Sequence, residues 1–91
     1  MAKKVVVEVL GSEPPCYKCR KTYEVLVEAV KELGVKDRVE VVKVNAMSPD
    51  IISKYGLVIT PTVAVNGEIK ILGKMLGSKR KAIEIIKEVL D

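Results

Sequence analysis

The sequence predicts an α/β fold: a four-stranded mixed sheet flanked by three helices, in the order β-α-β-α-β-β-α. Three observations lead there. Runs of β-branched residues of strand length alternate with stretches whose apolar residues recur every three or four positions. Gly or Pro stands at most of the junctions between them. Asn66-Gly67 lies between two short apolar runs, the strongest hairpin signal in the chain.

Lys4 to Leu10 is almost continuously apolar, as expected of a central strand covered on both faces. Gly11-Ser12-Glu13-Pro14-Pro15 breaks it. From Cys16 to Leu33 the apolar positions Cys19, Tyr23, Leu26, Val30 and Leu33 form the stripe of an amphipathic helix, and Gly34 supplies a left-handed stop. Arg38 to Val44 alternates and reads as a second strand. Ser48-Pro49-Asp50 is a helix start, with a capping hydroxyl, a proline at the first helical position and an acid favourable to the dipole. This helix ends at Tyr55-Gly56. Ile59 to Val65 and Glu68 to Leu72 form the hairpin, and Ser78 opens a last helix with the stripe Ala82, Ile83, Ile86, Val89 and Leu90. The first strand, helix and strand form a parallel unit, to which the hairpin adds antiparallel strands.

The 91 residues suit one domain, 1–91. With 48% hydrophobic and 31% charged residues, the composition is that of a globular chain rather than a disordered one. No apolar run approaches the roughly 20 residues that cross a bilayer. Glu8 interrupts the N-terminal apolar stretch and no small-residue cleavage site follows, so a cytoplasmic protein without a membrane partner is expected. The chain has no His, Trp or Phe and three Tyr. Imidazole chemistry is therefore excluded, and the stacking platforms of single-strand binders are missing. A net charge of +4 is a mild excess without a recognition motif, and no nucleic-acid partner is expected. The lack of Gln and His beside abundant Val, Ile, Lys and Glu suits a thermophilic source.

The chemistry rests on Cys16-Tyr17-Lys18-Cys19, which contains both cysteines of the chain. Residues three apart on a helical turn face one side, with β-carbons about 5–6 Å apart. A disulfide needs about 3.8 Å, so a turn can close and reopen it. Pro14-Pro15 cannot continue a helix backward, which puts Cys16 at or near the N-cap. There, free N–H groups, the helix dipole and the nearby Lys18, Arg20 and Lys21 stabilise a thiolate. Cys16 is thus expected to attack with a pKa below the usual value of about 8.5, and Cys19, facing inward, to resolve the mixed disulfide. Two small buried residues without chemistry would not need this spacing at a helix start. Zinc wants four ligands, whereas two thiolates suit Cu(I), so a soft-metal carrier using the same two thiols is the alternative. No cofactor is expected.

Pro15-Cys16-Tyr17-Lys18-Cys19, Tyr55-Gly56-Leu57-Val58-Ile59-Thr60-Pro61-Thr62 and Val65-Asn66-Gly67-Glu68 together resemble the thioredoxin-fold superfamily, in particular its small archaeal and bacterial glutaredoxin-like redox proteins. The resemblance spans almost the whole chain and implies a thioredoxin-like three-layer sandwich. It implies that Pro61 is cis and lies beside the disulfide, and that Thr60 offers its backbone to an extended substrate segment. Thr60, Pro61, Tyr17 and Lys18 are the substrate-binding residues it suggests. The activity it implies is thiol–disulfide exchange with protein disulfides, with a flavin-dependent disulfide reductase restoring the dithiol.

The sequence also departs from that family. Tyr17-Lys18 is neither the Gly-Pro of thioredoxins nor the Pro-Tyr of glutaredoxins, and a cation between the cysteines should make the disulfide more oxidising. The loop from Gly11 to Pro15 is longer. Gly73 to Lys81 is basic, where glutathione-holding members carry an acidic motif. Thioredoxins place a proton-shuttling acid in the strand before the cysteines. Glu8 stands in that strand, and an outward-facing, solvated Glu8 is the expectation. Lys79-Arg80-Lys81 is expected to be a solvated face; together with Lys74 it could instead attract anionic partners.

Overall fold

The computed structural model describes residues 4–12 and 17–90. Its elements are β1 (Val5–Gly11), α1 (Tyr17–Leu33), β2 (Val39–Asn45), α2 (Pro49–Tyr55), β3 (Thr62–Val65), β4 (Glu68–Ile71) and α3 (Lys79–Leu90). The order and kind of elements are those predicted. The sheet runs β2-β1-β3-β4. β1 pairs parallel with β2, from Val5↔Val39 to Gly11↔Asn45. It pairs antiparallel with β3, from Val7↔Val65 to Leu10↔Thr62.

This topology explains why β1 is apolar throughout. On one face Val5, Val7 and Val9 meet Val25, Leu26, Ala29 and Val30 of α1 and Ala82, Ile85 and Ile86 of α3. On the other, Leu10 and Ala64 meet Ala46 and Ile51, with Val44, Tyr55 and Val58 packed around them. Alternate side chains of one strand therefore feed two helical layers, and the result is a three-layer sandwich. Fully buried Leu26 and Ile86 each contribute roughly 2–3 kcal/mol of transfer free energy.

The hairpin turns as its dipeptide demands, with Asn66 at φ 49° and Gly67 at φ 85°, both left-handed as a primed turn requires. Asn66 also clips the end of β1: its N–H donates to Val6 O at 2.9 Å, and its Oδ1 accepts from Val6 N at 3.0 Å.

Several boundaries differ from the sequence reading. β3 begins at Thr62 rather than Ile59, because Pro61 has no N–H to give a ladder and Ile59 lies 71% exposed before it. β2 extends to Asn45, whose Oδ1 accepts from Met47 N at 2.9 Å and so ends the strand in an Asx turn. Ser48 precedes α2 with extended backbone but makes no side-chain capping bond. The buried stripe of α1 is Cys19, Thr22, Val25, Leu26, Ala29 and Val30. Tyr23 and Leu33 are only partly buried against it. In α3 the buried residues are Ala82, Ile85 and Ile86, with Ile83, Val89 and Leu90 at the margin.

Candidate active site

The site is built where β1 ends and α1 begins. α1 opens at Tyr17, so Cys19 lies in its first turn. Cys19 is 2% exposed and faces the sheet. Gly11, the last residue of β1, leaves room for it: a methyl group on Gly11 would stand 3.1 Å from both Cβ and Sγ of Cys19. Tyr17, at 66% exposed, and Lys18 point outward. Cys16 and the Pro14-Pro15 pair lie outside the described residues.

The β1–β3 register brings a second segment to this sheet end. Leu10 pairs with Thr62, so one residue further along each strand stand Gly11, behind Cys19, and Pro61. The Thr60–Pro61 peptide is cis, as the resemblance implied. Pro61 is fully buried, while Thr60 is partly exposed.

A cavity of about 210 Å³ opens beside Cys19, with Gly11, Ser12, Lys43 and Asn45 among its lining residues. The Lys43 ammonium lies 4.9 Å from the centroid of the Tyr23 ring, a cation–π contact that holds it near α1.

A model of the thioredoxin domain matches residues 5–87. The chain belongs to the thioredoxin domain family. Among its thioredoxin relatives is a protein of Methanothermobacter thermautotrophicus named a probable thioredoxin. It is 33% identical over 88 residues, which cover 96% of this chain and 98% of the relative. A thioredoxin of Methanocaldococcus jannaschii is similar to the same extent, 33% over 88 residues with the same coverage. These relationships support a thiol–disulfide oxidoreductase role in general terms.

Within this thioredoxin fold, Glu8 departs from the expectation of an outward-facing, solvated acid. Its side chain is 14% exposed and turned toward α2. There it accepts a hydrogen bond from the Tyr55 hydroxyl and pairs with the Lys54 ammonium at 3.4 Å. Glu8 tolerates this partial burial because it is partnered. Burial first, and then the bond to Glu8, push the Tyr55 phenol above its ordinary value. Hydrogen bonding with Tyr55, then the charge of Glu8, raises Lys54 likewise. Glu8 alternates in β1 with Val7 and Val9, which face α1, so it lies on the sheet face opposite Cys19.

The basic run opening α3 is exposed. Lys79 pairs with Glu32 at 3.3 Å. Among the described residues no helix is long and apolar enough to cross a membrane.

The sequence reading missed Gly11, Thr22 and Thr62. Gly11 read as the start of a turn, although a glycine directly before a Cys-x-x-Cys loop also signals close approach of backbone to a neighbour. Thr22 had a signal too: it stands three residues after Cys19, on the inward face of the helix.

Proposed function

We propose that the protein is a thiol–disulfide oxidoreductase acting through Cys16 and Cys19 on protein disulfides. The observation that carries this reading is the seat of Cys19, buried in the first turn of α1 against Gly11, at the sheet end where Thr60-Pro61 enters β3. A sulfur so enclosed suits an attack from within rather than a first encounter with a large substrate.

Cys16, as thiolate, attacks one sulfur of the substrate disulfide. The substrate S–S bond breaks, a mixed disulfide forms, and the departing sulfur takes up a proton. Cys19 then gives up its proton and attacks the Cys16 sulfur, which releases the second substrate thiol. The substrate gains two electrons and the protein holds a Cys16–Cys19 disulfide. Thr60 and Pro61 align the substrate backbone, Tyr17 and Lys18 flank its approach, and a flavin-dependent disulfide reductase returns the electrons. The setting we infer is cytoplasmic, with residues 1–91 acting as one domain.

Reduction of insulin by dithiothreitol, followed with and without a chelator, tests the proposal. Turnover that chelation does not change is expected. Tight Cu(I) uptake without turnover would replace this reading with the soft-metal carrier.

A further inference from the structure

Among the described residues, the buried polar side chains are two threonines, Thr22 and Thr62, each with no exposed surface. They belong to different elements, α1 and β3, yet make the same pair of bonds. Thr22 Oγ1 donates to Lys18 O at 2.8 Å and accepts from Leu76 N at 3.0 Å. Thr62 Oγ1 donates to Ile59 O at 2.6 Å and accepts from Gly73 N at 3.3 Å. Lys18 lies between the two cysteines, and Ile59 lies two residues before Pro61. The donated bonds therefore end on the two halves of the site. The accepted bonds both come from one short loop, Gly73 to Leu76.

That loop is itself held. Leu76 is buried in the core shared by α1 and α3. Gly73 has φ +69°, and a methyl group there would meet Cβ and Cγ2 of Ile59 at 3.1 Å. The loop thus presses on the segment before Pro61 at one end and is anchored beneath α1 at the other. A buried hydroxyl that loses either partner leaves a backbone group unsatisfied, so neither bond gives way cheaply.

We infer that Thr22 and Thr62 are positioning residues that brace the Cys-x-x-Cys turn and the Thr60-Pro61 segment against each other through the Gly73–Leu76 loop. The inference builds on the proposed exchange reaction, but the brace has a mechanical signature independent of turnover. Thr22 makes no bond to the Ile59–Thr62 segment, and Thr62 makes none to α1. Each nevertheless controls the setting of the other's half, because a loop released at one end loses its register at the other.

The test uses Thr22→Val and Thr62→Val, with Thr22→Ser and Thr62→Ser as variants that keep the hydroxyl. Amide hydrogen exchange is read at Gly73 and Leu76 by NMR. Thr22→Val is expected to speed exchange at Gly73 as well as at Leu76, and Thr62→Val at Leu76 as well as at Gly73, by roughly 3- to 10-fold. The Ser variants should restore protection. Each Val variant should also slow insulin reduction more than reduction of dithiobis(nitrobenzoate), since a small disulfide does not need the Thr60-Pro61 segment. Exchange effects confined to the amide each threonine bonds would overturn the brace, as would equal slowing of both substrates. A wild-type protein inert toward both disulfides would sink the proposed reaction alone, and the amide pattern would still decide the brace.

Discussion

Gly11 and Cys19 meet at the end of the central strand, so closely that a single added methyl group would stand 3.1 Å from the sulfur. That is tighter than nine in ten real Cβ contacts, so Cys19 or the strand must give by a few tenths of an ångström. Gly11→Ala should therefore cost roughly 1–3 kcal/mol through overpacking and displace the first turn of α1. Thermal unfolding measures the first effect, and slowed decay of the mixed disulfide the second. An alanine variant with wild-type stability and kinetics would show that the contact is not a constraint.

Glu8 and Tyr55 join β1 to the last residue of α2. Removing the carboxylate leaves a partly buried phenol without its acceptor, so Glu8→Ala is expected to lose about 1 kcal/mol. Glu8→Gln keeps an acceptor and should lose less. Because the contact lies on the sheet face away from Cys19, Glu8→Gln should leave the exchange rate unchanged. A rate lowered without loss of stability would restore Glu8 as a proton shuttle.

The same cluster sets an alkaline limit. Tyr55 and Lys54 both hold their protons more tightly than at their ordinary values, 10.0 and 10.5. Groups raised on folding contribute stability that is complete below the unfolded value and is lost as pH rises through the folded one. Denaturant midpoints should thus show no loss from this cluster between neutral pH and about pH 10 and should fall above it. Tyr55→Phe should shrink the fall. A cluster-linked loss on the acidic side of neutrality, abolished by the same variant, would contradict the assignment.

Cys16→Ser should abolish insulin reduction, and Cys19→Ser should trap a mixed disulfide visible by non-reducing mass spectrometry. Trapping by Cys16→Ser instead would reverse the two roles.

The sequence was most legible where local chemistry acts alone. The hairpin was readable because Asn66 and Gly67 accept left-handed backbone that most residues resist. The start of α2 was readable because Pro49 brings its own φ. The central place of β1 followed from a run of β-branched residues that only a doubly covered strand requires. Positions set by distant partners were not readable. Glu8 looked like a surface acid because its partner, Tyr55, is 47 residues away. Thr22 drew no role because the N–H it satisfies belongs to Leu76, 54 residues on.

By itself, then, the sequence determined the element order and the kind of chemistry open to two thiols three residues apart in the chain. Only the tertiary structure decided that Gly11 backs Cys19, that Glu8 faces the opposite layer, and that two buried hydroxyls converge on one loop. The reason is range. Backbone preference and hydrophobic period act over a few residues, whereas burial and hydrogen-bond satisfaction are settled only when strands and helices far apart in the chain come together.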